Sequence, residues 1–203
     1  MNLHSLPLFP LGTVLYPDGV LALQVFEVRY LDMIGRCHKA GAPFGVVALT
    51  EGTEVQQPQQ GVAFAAVGTL ARLTEWSAPQ PGLQLIQCAG QQRFAIDRRE
   101  RLKHGLWVAD VTLLPADQQV PIPADLQGAA DALRKVLASL QERGAPAAQS
   151  NEKGFEDCAW VSNRWCELLP IPPDLKQRML ELDNPLLRLE LVNDILERTG
   201  IAS

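Results

Sequence analysis

The sequence predicts an α+β protein, with strands in its first half and helices in its second. Three observations carry this. Short apolar runs punctuated by glycine and proline fill residues 6–114. The texture changes at Pro115, and Pro121 and Pro123 then make a stiff connector. From Asp125 onward, apolar residues recur at the three- and four-residue spacing of amphipathic helices.

The elements follow in order. Residues 6–25 read as extended, though Pro7, Pro10 and Pro17 lack a backbone donor and bar a central strand throughout. Tyr16-Pro17-Asp18-Gly19 is a turn in which proline presets φ and glycine takes the positive φ. Leu11–Leu15 and Val20–Val25 flank it as short strands. Phe26–Lys39 is a helix with Phe26, Tyr30, Met33, Ile34 and Cys37 on one stripe, ended by Gly41 and Pro43. Phe44–Leu49 is a continuous apolar strand, and the Gln-rich residues 51–60 form a loop. Residues 62–73 read as one or two strands with Gly68 as a bulge. Leu83–Cys88 and Arg93–Ile96 flank Ala89–Gln92 as a hairpin connection. Leu106–Leu114 alternates with period two. Such consecutive strands argue for a barrel or a folded-over sheet.

Asp125–Arg143 is the first helix of the second half, and Gly144–Gly154 a flexible loop. Residues 155–169 form the next helix. Pro170, Pro172 and Pro173 break the chain before a short helix over Leu175, Met179 and Leu182. Asn184 caps a last helix that has Pro185 at its first position and stops at Gly200.

The chain has 203 residues, 47% of them hydrophobic, so it can bury a self-sufficient core and is not disordered. Its net charge of -5 repels a phosphate backbone on average, so nucleic acid is an unlikely partner. Arg93, Arg98, Arg99, Arg101, Lys103 and His104 form the densest cationic run, interrupted by Asp97 and Glu100. They read as an exposed charged turn. Cys37, Cys88, Cys158 and Cys166 form no C-x-x-C pair and sit among apolar neighbours as small hydrophobes. No secretory leader and no membrane-spanning run is read in the sequence, so the expectation is a reduced, cytoplasmic protein.

Motifs for bond-breaking chemistry are missing from the sequence. There is no phosphate-binding G-x-x-x-x-G-K-[ST] and no G-x-S-x-G. His4, His38 and His104 are scattered away from zinc-ligand spacing. Cys37 and His38 are adjacent on a helix, about 100° apart, and cannot act as nucleophile and base. Glu51, Glu54, Glu75, Asp97, Glu100 and Asp110 are spread along the chain. No cofactor or metal is expected.

The opening run Leu6-Pro7-Leu8-Phe9-Pro10-Leu11, the turn at Pro17, and Phe26-Glu27-Val28-Arg29-Tyr30 resemble the start of the N-terminal domain of Lon proteases. Further landmarks follow in the family's order. They are Val67-Gly68-Thr69-Leu70-Ala71, Gly90-Gln91-Gln92-Arg93-Phe94-Ala95-Ile96, Leu106–Val111, and Lys176-Gln177-Arg178-Met179-Leu180-Glu181 with Arg188-Leu189-Glu190 after it. The resemblance implies a β-rich PUA-like pseudobarrel over residues 1–118 and an α-helical bundle over residues 119–203. It makes Pro10, Pro17, Glu27, Arg29, Gly68, Gly90, Arg93 and Phe94 structural signature positions. It also implies a stand-alone form of the domain, which handles substrate and inherits neither the ATPase nor the serine-lysine protease activity.

Four aromatic residues are candidates for binding protein or peptide. Phe26 and Tyr30 lie one helical turn apart and either pin the helix to the sheet or touch a ligand. Glu27 complements the helix dipole, and Arg29 faces elsewhere and needs another acceptor. Trp76 is expected in a loop, where recognition residues concentrate. Trp165 is expected in the core. Trp160, about 140° around the helix from it, is either a second packing residue or a partly exposed contact. The expected function is non-catalytic binding of unfolded or peptide-like protein segments. A PUA-like nucleic-acid-binding protein and a hydrolase built on the pseudobarrel stand as alternatives.

Overall fold

The computed structural model describes residues 1–51, 63–144 and 151–200. Most of the loop expected at residues 51–60, Val62, and residues 145–150 of the expected flexible loop lie outside them. The chain divides after Pro115 into two compact units.

The first unit is a mixed sheet with one helix. Its elements are β1 (Asn2–Leu11), β2 (Val20–Val25), α1 (Val28–Ala40), β3 (Phe44–Glu51), β4 (Ala63–Phe64), β5 (Val67–Gln80), β6 (Leu83–Arg101) and β7 (Trp107–Leu113). The strand order is β1-β7-β6-β5-β3-β4, with β2 on β6. β1 runs antiparallel to β7 from Asn2 to Leu8, then parallel to β3 from Leu8 to Leu11. The strand path therefore returns to its start. This change of partner explains how a segment containing Pro7 and Pro10 enters a sheet. Extended pairing begins at Asn2 and ends at Leu11, so the strand expected over Leu11–Leu15 is irregular chain instead.

Successive residues of the central strands feed opposite clusters. Phe9, Val46 and Val108 join one core with Tyr30, Met33, Ile34 and Phe44. Leu8, Val47 and Ala109 join the other with Leu70, Phe94 and Val111. A strand buried on both faces has no polar face to alternate, which accounts for the unbroken apolar run at Phe44–Leu49.

Three glycine readings change. In the Tyr16–Gly19 turn the positive φ falls on Asp18 (φ 60), a residue type that tolerates it, and not on Gly19. Gly68 pairs in register with Phe94, and the irregularity in that ladder lies between Thr69 and Ala71. A Cβ on Gly68 would lie 2.5 Å from the Val46 carbonyl oxygen and 2.7 Å from the Phe94 ring, so close approach, not a bulge, requires glycine there. Gly90 lies inside β6, which is one strand of 19 residues, so Ala89–Gln92 is no hairpin connection. The hairpin turns instead between Gln80 and Leu83, where Gly82 takes φ 80. At Gly90 the Tyr16–Gly19 turn docks on β6. Its amide donates to Gly19 O at 2.7 Å, its carbonyl accepts from the Asp18 amide at 2.9 Å, and a Cβ would collide with the Tyr16 carbonyl oxygen.

The second unit is helical: α2 (Gln127–Glu142), α3 (Cys158–Leu168), α4 (Pro173–Glu181) and α5 (Pro185–Thr199). α3 starts later than expected. Glu152–Glu156 is a 3₁₀ turn, and Asp157 caps α3 by accepting from the Ala159 amide at 3.2 Å. Every residue from Cys158 to Cys166 is buried, so α3 is the central helix. Trp165 donates from Nε1 to Ala129 O at 2.9 Å. Asn184 caps α5 through the Leu186 and Leu187 amides.

Arg188 is a buried side chain of this unit with several partners. At 1% exposure it pairs with Asp117 (2.7 Å) and donates to Asn163 Oδ1 (2.8 Å), Met179 O (2.9 Å) and Leu182 O.

Candidate functional site

The sequence-derived candidates separate once they are placed. Tyr30 is buried and stacks on Phe9, ring centroids 4.1 Å apart. Phe26 precedes α1 and is 57% exposed, so the two do not share a helical face. Glu27 is the N-cap, with extended backbone (φ -76°, ψ 131°). That position lies outside helical geometry, which lets residues two apart meet: Arg29 Nη2 donates to Glu27 Oε2 at 2.6 Å. The expectation that Arg29 faces away from Glu27 is thereby corrected. Arg29 also covers the Tyr30 ring, with its guanidinium carbon 4.7 Å from the centroid.

Trp76 belongs to β5, not to a loop, and pairs with Ile86. It is 39% exposed and stacks on His38 of α1 at 4.8 Å. Trp160 lies in the second unit and is buried, edge-on to Phe155 at 4.9 Å, with Gly154 against its ring. Among the signature positions, Pro10 lies in β1 beside Val47 of β3, and Pro17 lies in the docked turn. Arg93 and Phe94 are buried in β6.

Exposed apolar side chains occur on both faces of, and next to, a three-stranded ribbon of the first unit, made by β2, the first half of β6 and the second half of β5. Leu85 pairs with Gln24 of β2 and Ser77 of β5, and Ile86 pairs with Leu23 and Trp76. Because neighbours along a strand point to opposite faces, Leu85 lies on the outer face and Trp76 on the face shared with Ile86. Phe26 leaves the end of β2, and Val28 begins α1 at 73% exposure. Phe26, Val28, Trp76 and Leu85 are four of the seven large apolar residues left exposed among the described residues. β2 pairs only with β6 among the described strands. Val28 and Leu85 escaped the sequence reading. Each sits in an apolar run, and only the third dimension shows which member faces outward.

A second feature is a polar hollow of about 150 Å³, lined by Ser5 of β1, Arg98, Arg99 and Glu100 of β6, and Val108, Ala109 and Asp110 of β7. The Asp110 carboxylate accepts from the Ser5 amide at 3.1 Å and meets His4 Nδ1 at 3.3 Å. The Ser5 amide bond chiefly, with His4 and the Arg98 charge, lowers the Asp110 carboxyl below its usual range. Asp110 is therefore ionised near neutrality and cannot serve as a general acid there. Arg99 lies over the Phe64 ring at 4.5 Å. Part of the basic run thus borders a concavity.

Other reactive groups are held inert. Burial raises the Cys37 thiol, pushes Cys88 up to about 12, and is the main cause that brings Cys158 to about 11. Thiols so protonated are poor nucleophiles. Among the described residues no three His, Cys, Asp or Glu side chains gather to hold a metal ion. No described helix is long and apolar enough to cross a membrane.

The model of the ATP-dependent protease La (LON) substrate-binding domain matches residues 5–198. Among solved structures, the chain is similar to a Lon N-terminal domain protein from Xanthomonas campestris. The two are 30% identical, with a TM-score of 0.70, over 95% of this chain and 98% of that one. It is similar in fold to the N-terminal domain of a Mycobacterium avium complex Lon protease, with 16% identity, a TM-score of 0.61, and 94% and 96% of the two chains covered. No curated protein matches it.

Proposed function

The chain belongs to the Lon substrate-binding domain family, and from that membership we propose that it is a non-catalytic module recognising unfolded or peptide-like segments of other proteins. The observation that carries this reading is the exposure of Leu85 on the outer face of the ribbon and of Phe26 where the chain leaves β2, a strand that pairs only with β6 among the described strands. Apolar side chains held outward on a rigid sheet bind exposed apolar side chains of a client, and a free strand edge adds an extended segment through main-chain hydrogen bonds. Such ligands need no catalytic group. Tyr30 and Trp160, both buried, support the scaffold in this reading.

The return of the strand path from β3 to β1 supports a PUA-like pseudobarrel, which would give the ribbon a rigid base. Residues 1–118 then carry recognition and residues 119–203 form an accessory helical unit. A reduced, cytoplasmic setting suits four free thiols.

The test is photocrosslinking from a benzophenone side chain placed at Phe26 or Leu85. The target is a globular protein offered either folded or permanently unfolded by reduction and alkylation. Capture of the unfolded form in clear excess over the folded form is expected. Equal capture of both, or of neither, overturns the reading.

A further inference from the structure

Resting on the recognition function proposed above, we propose that the hollow between β1, β7 and β6 binds the C-terminal carboxylate of a client polypeptide, with Arg98 as its main ligand. The hollow is built by departures from a regular sheet. The β1–β7 ladder slips between Leu3 and Leu6, and the β6–β7 ladder slips between Ile96 and Arg98. Asp110 of β7 therefore has an irregularity in the strand on each side. Such bulges re-aim side chains and recur beside functional sites. Ser5, inside the first slip, holds a left-handed φ of 53°, unusual for a residue with a side chain, and its amide is turned onto Asp110.

The two arginines differ in availability. Arg99 is occupied by the Phe64 ring and reaches the Phe64 carbonyl at 3.4 Å. The Arg98 guanidinium donates to no described residue, yet it lines the hollow and lies close enough to Asp110 to stabilise its charge. A planar guanidinium whose N–H groups are not taken up by described residues matches a carboxylate in bidentate geometry.

Size and charge narrow the ligand. About 150 Å³ is well below the several hundred Å³ of a cofactor or drug-sized site and suits one residue. The lining carries two arginines against Glu100 and Asp110, so its charges cancel. A polyphosphate gains little from such a lining. A chain end suits it, because it brings one negative charge and, in the same residue, an amide N–H. Both bonds to Asp110 land on Oδ1, which leaves Oδ2 to accept that amide. Val108 and Ala109 of β7 complete the lining, and with their side chains in the core they leave the hollow mostly polar.

The experiment titrates the full chain into short fluorescent peptides of one apolar sequence, ending either in a free carboxylate or in an amide. Anisotropy reports binding. The free acid should bind about tenfold tighter. Arg98→Gln should bring that ratio to about one while leaving the amide peptide unchanged. Equal affinity for acid and amide overturns the chain-end site and leaves the recognition function standing. So does an equal loss for both peptides in Arg98→Gln. An amidated peptide with an internal aspartate that binds as tightly as the free acid also overturns it, since the hollow would then read side chains. Failure of both peptides to bind overturns both proposals.

Discussion

Single side chains decide more of this protein than their sequence neighbourhood suggests. Arg188 is buried with a charge, and Asp117 is its neutralising partner. Removing one member of a buried pair strands the other, so Asp117→Ala should destabilise the second unit by about 3–5 kcal/mol, seen as a lower urea midpoint. Asp110 offers a pH readout. Its carboxyl is held below the usual 3.8, first by the Ser5 amide. A depressed carboxyl contributes stability that is complete above its unfolded value and is lost as the pH falls through its folded value. A ¹³C carboxyl titration should place the Asp110 midpoint below 3.8, and His4→Ala should move it upward; a wild-type midpoint at or above 3.8 contradicts the observed bonding. Arg188 was visible in the sequence only as part of a helical run, because its partners come from four other places in the chain. The Glu27–Arg29 pair differs for a related reason: the spacing predicts a helix from Phe26, two residues before α1 begins.

At the scale of elements, the sequence was readable wherever the local signal and the tertiary structure agreed. α1 ends at Gly41 in a left-handed conformation, and α5 begins at Asn184 and Pro185 and stops at Gly200, as their capping residues indicate. The differences at Gly68 and Gly90 share one cause. A glycine needed because another segment presses on it leaves the same mark as a glycine needed for a turn. Gly90 is the case: it interrupts no strand and instead admits the Tyr16 carbonyl. Gly90→Ala would drive a Cβ into backbone, which cannot rotate away. The expected cost is about 3 kcal/mol or more, measured as a loss of thermal stability. A variant as stable as the parent would refute the docking of the turn on β6. Trp76 was misplaced because Ser77-Ala78-Pro79 resembles a loop, yet Pro79 is accommodated near the end of a long hairpin strand.

For the molecule as a whole, the order of landmarks was the most legible feature. Segments spaced over nearly the whole chain resembled one family, and its model spans residues 5–198. The candidate surface was less legible. Of the four aromatic candidates, Phe26 and Trp76 reach the surface, whereas Tyr30 and Trp160 are buried. Net charge is also a property of the whole, and at -5 it opposes a polyanion. Filter retention of single-stranded RNA should be absent at physiological salt; retention that falls steeply as salt rises would revive the nucleic-acid reading. One consequence concerns biogenesis. Leu8–Leu11 can find a parallel neighbour once Gly45–Ala48 has emerged, but Asn2–Leu8 has no antiparallel neighbour until Trp107–Thr112 has been translated. Asn2–Leu8 therefore travels unzipped while about a hundred more residues are added, an interval in which a chaperone, or another nascent chain, has access to it.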